Sequence, residues 1–400
     1  MDYENLPSDY KNTFSRYINL LKFIGIDIFE SSSINASPMK RFFIFNLIFL
    51  SVMGSQFSLL TKMNAVNFLK EATYLLVPTT LSIRDIVKMT TALTRKSEIK
   101  QILLEIGELW PSGLHANDEK AVILKRWMSR MEMFVTYTLA HLAIFEMIPL
   151  LLTVYNFWTG VREYVLPFQV SGFFKVNSTT SFVISYVWEL AGTVPCHICL
   201  YVAFDLLVMA IISNMSILFR LLQVDLVNWI EFNSGTQGIS ISGPASCEKI
   251  IRIVKDHQTL LRLSKKLNSI FGLVIFVHVA LSAVVICLFG FLTVVFCGTL
   301  ESIAYLLTVL FSVITIFLLA LFGQLLCDAS SGVAEAAYQS MWYRTDIKVK
   351  KLVLFIIIRS QNTCFLSALG YSNMTLRSVS RIMSTAWTYF SLLVQIYKNK

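Results

Sequence analysis

Four polar side chains near the end of the chain have the spacing of a lined water path. Ser384, Thr388, Ser391 and Gln395 follow one another at intervals of four, three and four. At about 100° per residue they share one side of a helix. Leu392 and Ile396 flank that seam, and Ile382, Met383, Ala386, Trp387, Phe390, Leu393 and Val394 fill the remaining surface. No charge interrupts residues 382–397. A hydroxyl-and-amide stripe on an apolar helix supports two chemistries. It can hydrogen-bond to neighbouring membrane helices, or it can line a pore and meet hydrated ions.

A second set of residues is ionisable and lies inside apolar stretches: Glu146, Glu189, Asp205 and the Arg84-Asp85 pair. Charge is costly in hydrocarbon, so such groups are functional candidates. The alternative is a satisfied interhelical bond or an ion pair near a helix end. A third set is aromatic: Phe68, Tyr74, Phe145, Tyr155, Phe157, Trp158, Tyr186, Trp188 and Tyr305. These residues suit the belt at a membrane interface, Trp158 above all. They also suit the walls of an apolar pocket with few polar groups, the usual form of a small-molecule site. The candidate ligand contacts are Tyr74, Phe145, Glu146, Tyr155, Tyr186, Trp188, Glu189 and Tyr305.

Enzyme signatures are absent. The sequence has no phosphate-cradling glycine loop, no HExxH and no nucleophile elbow, so no catalytic residue and no cofactor is expected. Cys196-His197-Ile198-Cys199 has metal-like spacing but no second ligand pair nearby, and it reads as small-residue packing. The seven cysteines give no disulfide framework.

The elements that must position these groups are membrane helices. Of 400 residues 55% are hydrophobic and only 15% charged, with mean hydropathy +0.63. A soluble domain carries about 25% charged residues. Residues 42–61, 267–300 and 302–327 are uncharged blocks, counting His278 as neutral, and about 20 apolar residues cross a bilayer. The first 40 residues are polar, so no cleavable signal peptide is expected. The net charge of +9 resides in the segments between spans. That points to a positive-inside bias and away from nucleic acid.

Seven spans are expected: 42–61, 66–90, 131–157, 182–213 with its helical pattern continuing to 232, 269–297, 302–327, and a final span in two parts, 348–369 and 377–397. Turn residues Gly370 to Asn373 split the last one. Lys40 and Arg41, directly before the first span, favour an intracellular N-terminus and hence an extracellular C-terminus. Ile99, Ile102, Leu103, Ile106 and Leu109 share a helical face, as do Leu260, Leu263, Leu267 and Ile270. A layer of cytoplasmic helical hairpins follows from that. Pro78, Pro149 and Pro195 are positioned to kink three spans, whereas no proline follows Pro244. The fold class is therefore an all-α membrane protein of seven transmembrane helices. It divides into a cytoplasmic segment 1–41, spans one to six over 42–327, and an anchor segment with the final helix over 328–400. Of four Asn-x-Ser/Thr sequons, Asn177 best fits an extracellular loop. No internal repeat supports an inverted-repeat transporter. A G-protein-coupled receptor should show an acidic-Arg-aromatic triplet ending span three and an Asn-Pro pair in span seven; neither is present.

Residues 257–397 resemble an insect odorant receptor. The motifs are His257-Gln258-Thr259-Leu260-Leu261, Leu267-Asn268-Ser269-Ile270-Phe271, Ser330-Ser331, and Ala336-Ala337-Tyr338-Gln339-Ser340-Met341-Trp342-Tyr343. Arg359-Ser360-Gln361, Ala368-Leu369-Gly370-Tyr371, and Thr388-Tyr389 followed by Gln395 complete the series. Gustatory relatives usually follow that Gln with Phe; Ile396 here favours the odorant branch. The resemblance implies an intracellular N-terminus and a tuning subunit that assembles with a shared co-receptor into a tetrameric, non-selective cation channel. It implies a small volatile ligand held in the outer half of spans two, three, four and six. Leu392 and Ile396 would form the gate, with Gln395 beside it. The chain lacks the long stretch between spans four and five typical of the co-receptor. The implied location is the plasma membrane of olfactory sensory neuron dendrites, against lipid.

Overall fold

A computed structural model describes residues 3–23, 25–29, 47, 51, 54, 68–111, 119–160, 164, 178–196, 203–229 and 244–399. The first expected span, 42–61, lies almost wholly outside the described residues, and Asn177 lies outside them. The described chain is helical: α1 (Ser8–Phe23), α2 (Phe68–Thr94), α3 (Lys96–Glu108), α4 (Glu119–Trp158), α5 (Thr179–Cys196), α6 (Phe204–Asn228), α7 (Pro244–Val295), α8 (Leu300–Gln339), α9 (Ile347–Ser360) and α10 (Leu376–Lys398). A two-stranded hairpin, β1 (Ser367–Ala368) and β2 (Ser372–Asn373), separates α9 from α10.

Helix length follows from uninterrupted periodicity. With no proline after its first residue, α7 runs 52 residues, about 78 Å at 1.5 Å per residue. Its neighbour α8 runs 40, about 60 Å. Both exceed a hydrocarbon core of about 30 Å, so each must continue into a second layer. Among the described residues, α6, most of α7 and most of α8 are long and apolar enough to cross a membrane. Of the expected long helix over 182–232, the described residues form α5 and α6; residues 197–202 lie outside the described set, and α6 stops at Asn228. Buried almost throughout, α6 is the axis of the bundle. Its Asn214 is 2% exposed, which removes that sequon from glycosylation.

The second layer uses the two amphipathic faces read from the sequence. Ile99, Ile102, Leu103 and Ile106 of α3 and Leu260, Leu263, Leu267 and Ile270 of α7 are all buried. Tyr10 and Phe14 bring α1 into the same core, where the Tyr10 hydroxyl donates to the Leu103 carbonyl. Arg262 pairs with Glu105 at 2.8 Å, holding α7 to α3 on the outside.

His257 joins three helices in this layer. From α7 it meets Phe219 of α6 edge-on at 6.3 Å and places Nε2 3.4 Å from the Ser360 hydroxyl of α9. Burial, and secondarily the Arg359 charge, lowers its pKa to about 4, so the ring is neutral when folded. Below pH 6.5 the unfolded chain binds a proton that the folded chain refuses. Stability is therefore full above pH 6.5 and falls as pH drops toward about 4, by up to about 3 kcal/mol. Thermal unfolding of the purified protein across that range checks this: His257→Gln flattens the slope if the ring is its source, and an unchanged slope refutes it.

Candidate pore face and ligand chamber

The hairpin before α10 sets the direction of the final helix. Leu369 (φ 51°) and Gly370 (φ 82°) reverse the chain in the left-handed region, pairing Ala368 with Ser372 and Ser367 with Asn373. Asn268 of α7 acts as a surrogate strand. Its Nδ2 donates to the Phe365 carbonyl at 2.6 Å, and its Oδ1 accepts from the Ser367 N–H at 2.8 Å. From α8, the Ser330 hydroxyl accepts from the Cys364 N–H at 2.9 Å. Gly323, also on α8, has no side chain where the Met374 carbonyl arrives; a Cβ there would stand 2.2 Å from that oxygen. The family-like motifs at 268 and 330 are thus the fittings that aim α10.

With its direction fixed, α10 buries one side and leaves the other open. Ala386 is 3% exposed, and Phe390, Leu393 and Val394 pack on a cluster of Phe289, Phe291, Leu292 and Tyr305 from α7 and α8. Ser384, Thr388, Ser391, Leu392, Gln395 and Ile396 are all exposed on the remaining surface. The hydroxyls of Thr388 and Ser391 donate back to the carbonyls of Ser384 and Thr388, each at 2.9 Å. Their oxygens therefore keep lone pairs directed away from the helix, which suits contact with water or cations. Beside this face an apolar groove of about 380 Å³ runs between α7 and α10, past Val284, Cys287 and Tyr389.

The pocket candidates separate into groups. Tyr186 of α5 is buried with Phe182, against Leu150 of α4 and Tyr164 of the loop between them. The Tyr164 ring stacks on Phe182 at 4.8 Å, and its hydroxyl lies 2.9 Å from Thr179 Oγ1. Tyr305 belongs instead to the α7–α8 cluster beneath α10, with Phe289 and Phe296 at 5.7 and 5.9 Å. Tyr155 and Trp188 are 43% and 39% exposed. Tyr74, Phe145, Glu146 and Glu189 lie on α2, α4 and α5, and their side chains are outside the described residues.

Charges in α2 resolve into a cross-link. Lys88, 1% exposed, bonds Asp205 of α6 at 2.7 Å. One turn earlier the Arg84 guanidinium donates to Ser282 of α7 at 3.0 Å, near buried His278. Asp85 is fully buried on the same stretch of α2. Arg84, Asp85 and Asp205 were candidates in the sequence. Lys88 and Ser282 were not, although Lys88 follows Arg84 by four and so shares its helix face. Ser185, Phe182 and Tyr164 likewise carry no signal in the sequence alone that singles them out.

The profile of the 7tm Odorant receptor family matches residues 69–387. The chain belongs to the insect odorant receptor family. It is accordingly a transmembrane receptor of olfaction, in a family of receptors and not of enzymes. Odorant receptor 67a of Drosophila melanogaster is 23% identical over 392 residues, 94% of this chain and 93% of that one. Putative odorant receptor 85d of the same fly is 26% identical over 312 residues, 76% of this chain and 73% of the relative. Odorant receptor 85b is 32% identical over 148 residues, and that match spans 37% of this chain and 38% of the relative. The fold is that of the olfactory receptor OR5 from Machilis hrabei. Its structure in complex with eugenol gives TM-score 0.76 at 15% identity, covering 97% of this chain and all of that one. A second structure of that receptor gives 0.78 at 14% with the same coverage.

Proposed function

We propose that this odorant receptor is the tuning subunit of a ligand-gated, non-selective cation channel. It assembles with a shared co-receptor as a hetero-tetramer in the plasma membrane of olfactory neuron dendrites. Seven helices cross the bilayer from an intracellular N-terminus to an extracellular C-terminus, and Asn177 is a glycosylation site outside. Residues 1–41 form a cytoplasmic segment, 42–327 the first six spans with the ligand chamber, and 328–400 the anchor segment and pore helix. The observation that carries this reading is the two-sided α10, packed through Ala386 and Phe390 and open along an uncharged polar seam.

A small volatile enters the chamber formed by Tyr74, Phe145, Glu146, Tyr155, Tyr186, Trp188, Glu189 and Tyr305. The Machilis hrabei relative in complex with eugenol supports that ligand class. The ligand favours the open state only by its differential affinity for it. Leu392 and Ile396 close the pore by excluding water, and opening exposes Ser391 and Gln395 to permeating cations. Tyr305, in a separate cluster from Tyr186, packs with Phe390 and Leu393 of α10, which supports a link from ligand to pore.

The test is whole-cell current from cells expressing this chain with and without an insect odorant co-receptor, across a wide volatile panel. Odorant-evoked current that requires the co-receptor and persists with G-protein signalling blocked is the expected result. An uncharged seam has no charged ring to sort ions, so reversal potentials are expected to show near-equal sodium and potassium permeability. Strong potassium selectivity, or uptake without current, contradicts the reading.

A further inference from the structure

Several hydroxyls buried in this bundle have evident partners, and among the described residues Ser185 stands apart from them. Ser216 donates to the Ile212 carbonyl at 2.8 Å, Thr91 to Val87 at 2.8 Å and Thr308 to Ala304 at 2.9 Å. Each bonds one turn back along its own helix, the usual arrangement for Ser and Thr within helices. Ser282 receives Arg84, and Ser213 receives the Trp127 indole. Ser185 does neither. It is 3% exposed, and its Oγ is buried with no hydrogen-bond partner. A buried, unsatisfied hydroxyl costs about 1–3 kcal/mol, and there is no bulk water in the membrane to recover it.

The position of this hydroxyl gives it a use. Ser185 lies six residues into α5 from Thr179, about 9 Å below the loop end of the helix. It shares a face with Phe182 and Tyr186, which are buried against Leu150 and the loop residue Tyr164. Among the described residues this is the aromatic group where α4, α5 and their connecting loop meet, and Ser185 is the buried polar atom in it without a partner. In a largely apolar chamber, a placed polar group fixes a ligand's orientation.

We propose that Ser185 donates a hydrogen bond to the odorant and so selects volatiles carrying a carbonyl oxygen over hydrocarbons of the same shape. The inference rests on the chamber reading above and adds the chemical class of the ligand. The Phe182, Tyr186 and Tyr164 rings take the hydrocarbon tail by contact alone. They discriminate weakly, because a methylene in an apolar pocket alters affinity modestly. The Ser185 hydroxyl meets the oxygen in a dry site, where the bond is not shared with water.

The experiment compares straight-chain methyl ketones, each paired with the n-alkane of equal length, on wild type, Ser185→Ala and Ser185→Thr co-expressed with the co-receptor. Wild type is expected to respond to the ketone at about tenfold lower concentration than to the alkane, the equivalent of one net hydrogen bond. Ser185→Ala brings that ratio near one by weakening the ketone response alone, and Ser185→Thr, which keeps a hydroxyl, restores it. A ratio unchanged in Ser185→Ala while odorant currents persist overturns the inference and leaves the channel reading standing. Equal loss of both responses in Ser185→Ala, with Ser185→Thr normal and both at the surface, shows a packing role and also overturns it. If wild type passes no odorant current, the channel reading fails. The same ligand pairs are then read by thermal shift of the purified chain. A ketone-specific shift abolished in Ser185→Ala supports the donor; a shift indifferent to that substitution, or no ketone-specific shift in wild type, refutes it.

Discussion

Lys88→Met is expected to destabilise the protein by about 3 kcal/mol, because removing one member of a buried ion pair strands the other. Lys88 is almost completely buried and bonds Asp205 at 2.7 Å, while Asp205 keeps 23% of its side chain exposed. That residual exposure places the cost at the low end for a buried pair. Lys88 is the cation bonded to Asp205, so losing the ammonium leaves that carboxylate without its ion-pair partner between α2 and α6. Removing Asp205 as well removes the stranded carboxylate. The double variant Lys88→Met with Asp205→Leu is therefore expected to recover most of the loss, since an apolar pair of similar volume often replaces a buried ion pair without penalty. Thermal unfolding in detergent and surface expression measure both. A double variant as unstable as the single one would show that the site needs the charges themselves and would sink the stranded-charge argument.

Gly323→Ala is the second large effect. Its Cβ would sit 2.2 Å from the Met374 carbonyl oxygen and 3.2 Å from the carbon. Both atoms are backbone, fixed because the Met374 N–H donates to the Leu366 carbonyl at 2.7 Å. Either α8 or the start of α10 must move, at a cost of about 3 kcal/mol, the upper range for overpacking. Gly272 provides the control. It lies against the same hairpin, but a Cβ there would meet Leu369 N and Ser367 O at an ordinary 3.5 Å. Gly272→Ala is expected to be neutral or to stabilise α7 by up to about 1 kcal/mol through helix propensity. Surface expression and melting temperature of the two variants should therefore change in opposite directions or differ widely. Equal behaviour would show that α10 is not seated on α8 as described.

The parts of this molecule visible in the sequence are those built from repetition along one helix. The faces at Ile99 to Ile106 and Leu260 to Ile270 have helical period, and they are buried. The polar seam of α10 has the same origin, and its four residues are exposed together with the flanking Leu392 and Ile396. The break at Gly370 was readable because only a few residue types accept positive φ. Relations between helices were not readable. Lys88 reaches Asp205 across 117 positions and Arg84 reaches Ser282 across 198; no periodicity within α2 names those partners. Nor could composition separate Tyr186 from Tyr305, which the bundle assigns to different clusters. Ser185 looked like any helical serine, because its lack of a partner is a property of the packed chamber. The hairpin motifs show the middle case. Asn268 and Ser330 were recognisable as family-like residues, but their work of holding the 364–368 backbone emerges only from geometry.

The most direct test of the pore is cysteine accessibility along α10. Cysteines placed singly at Ser384, Thr388, Ser391 and Gln395 should react with a charged methanethiosulfonate reagent and change odorant-evoked current, faster when the channel is open. A cysteine at Ala386, on the packed side of the same helix, should not. Modification at Ala386 equal to that along the seam, or no effect at any seam position in channels that reach the surface and respond to odorant, would show that α10 does not line the path of the ions.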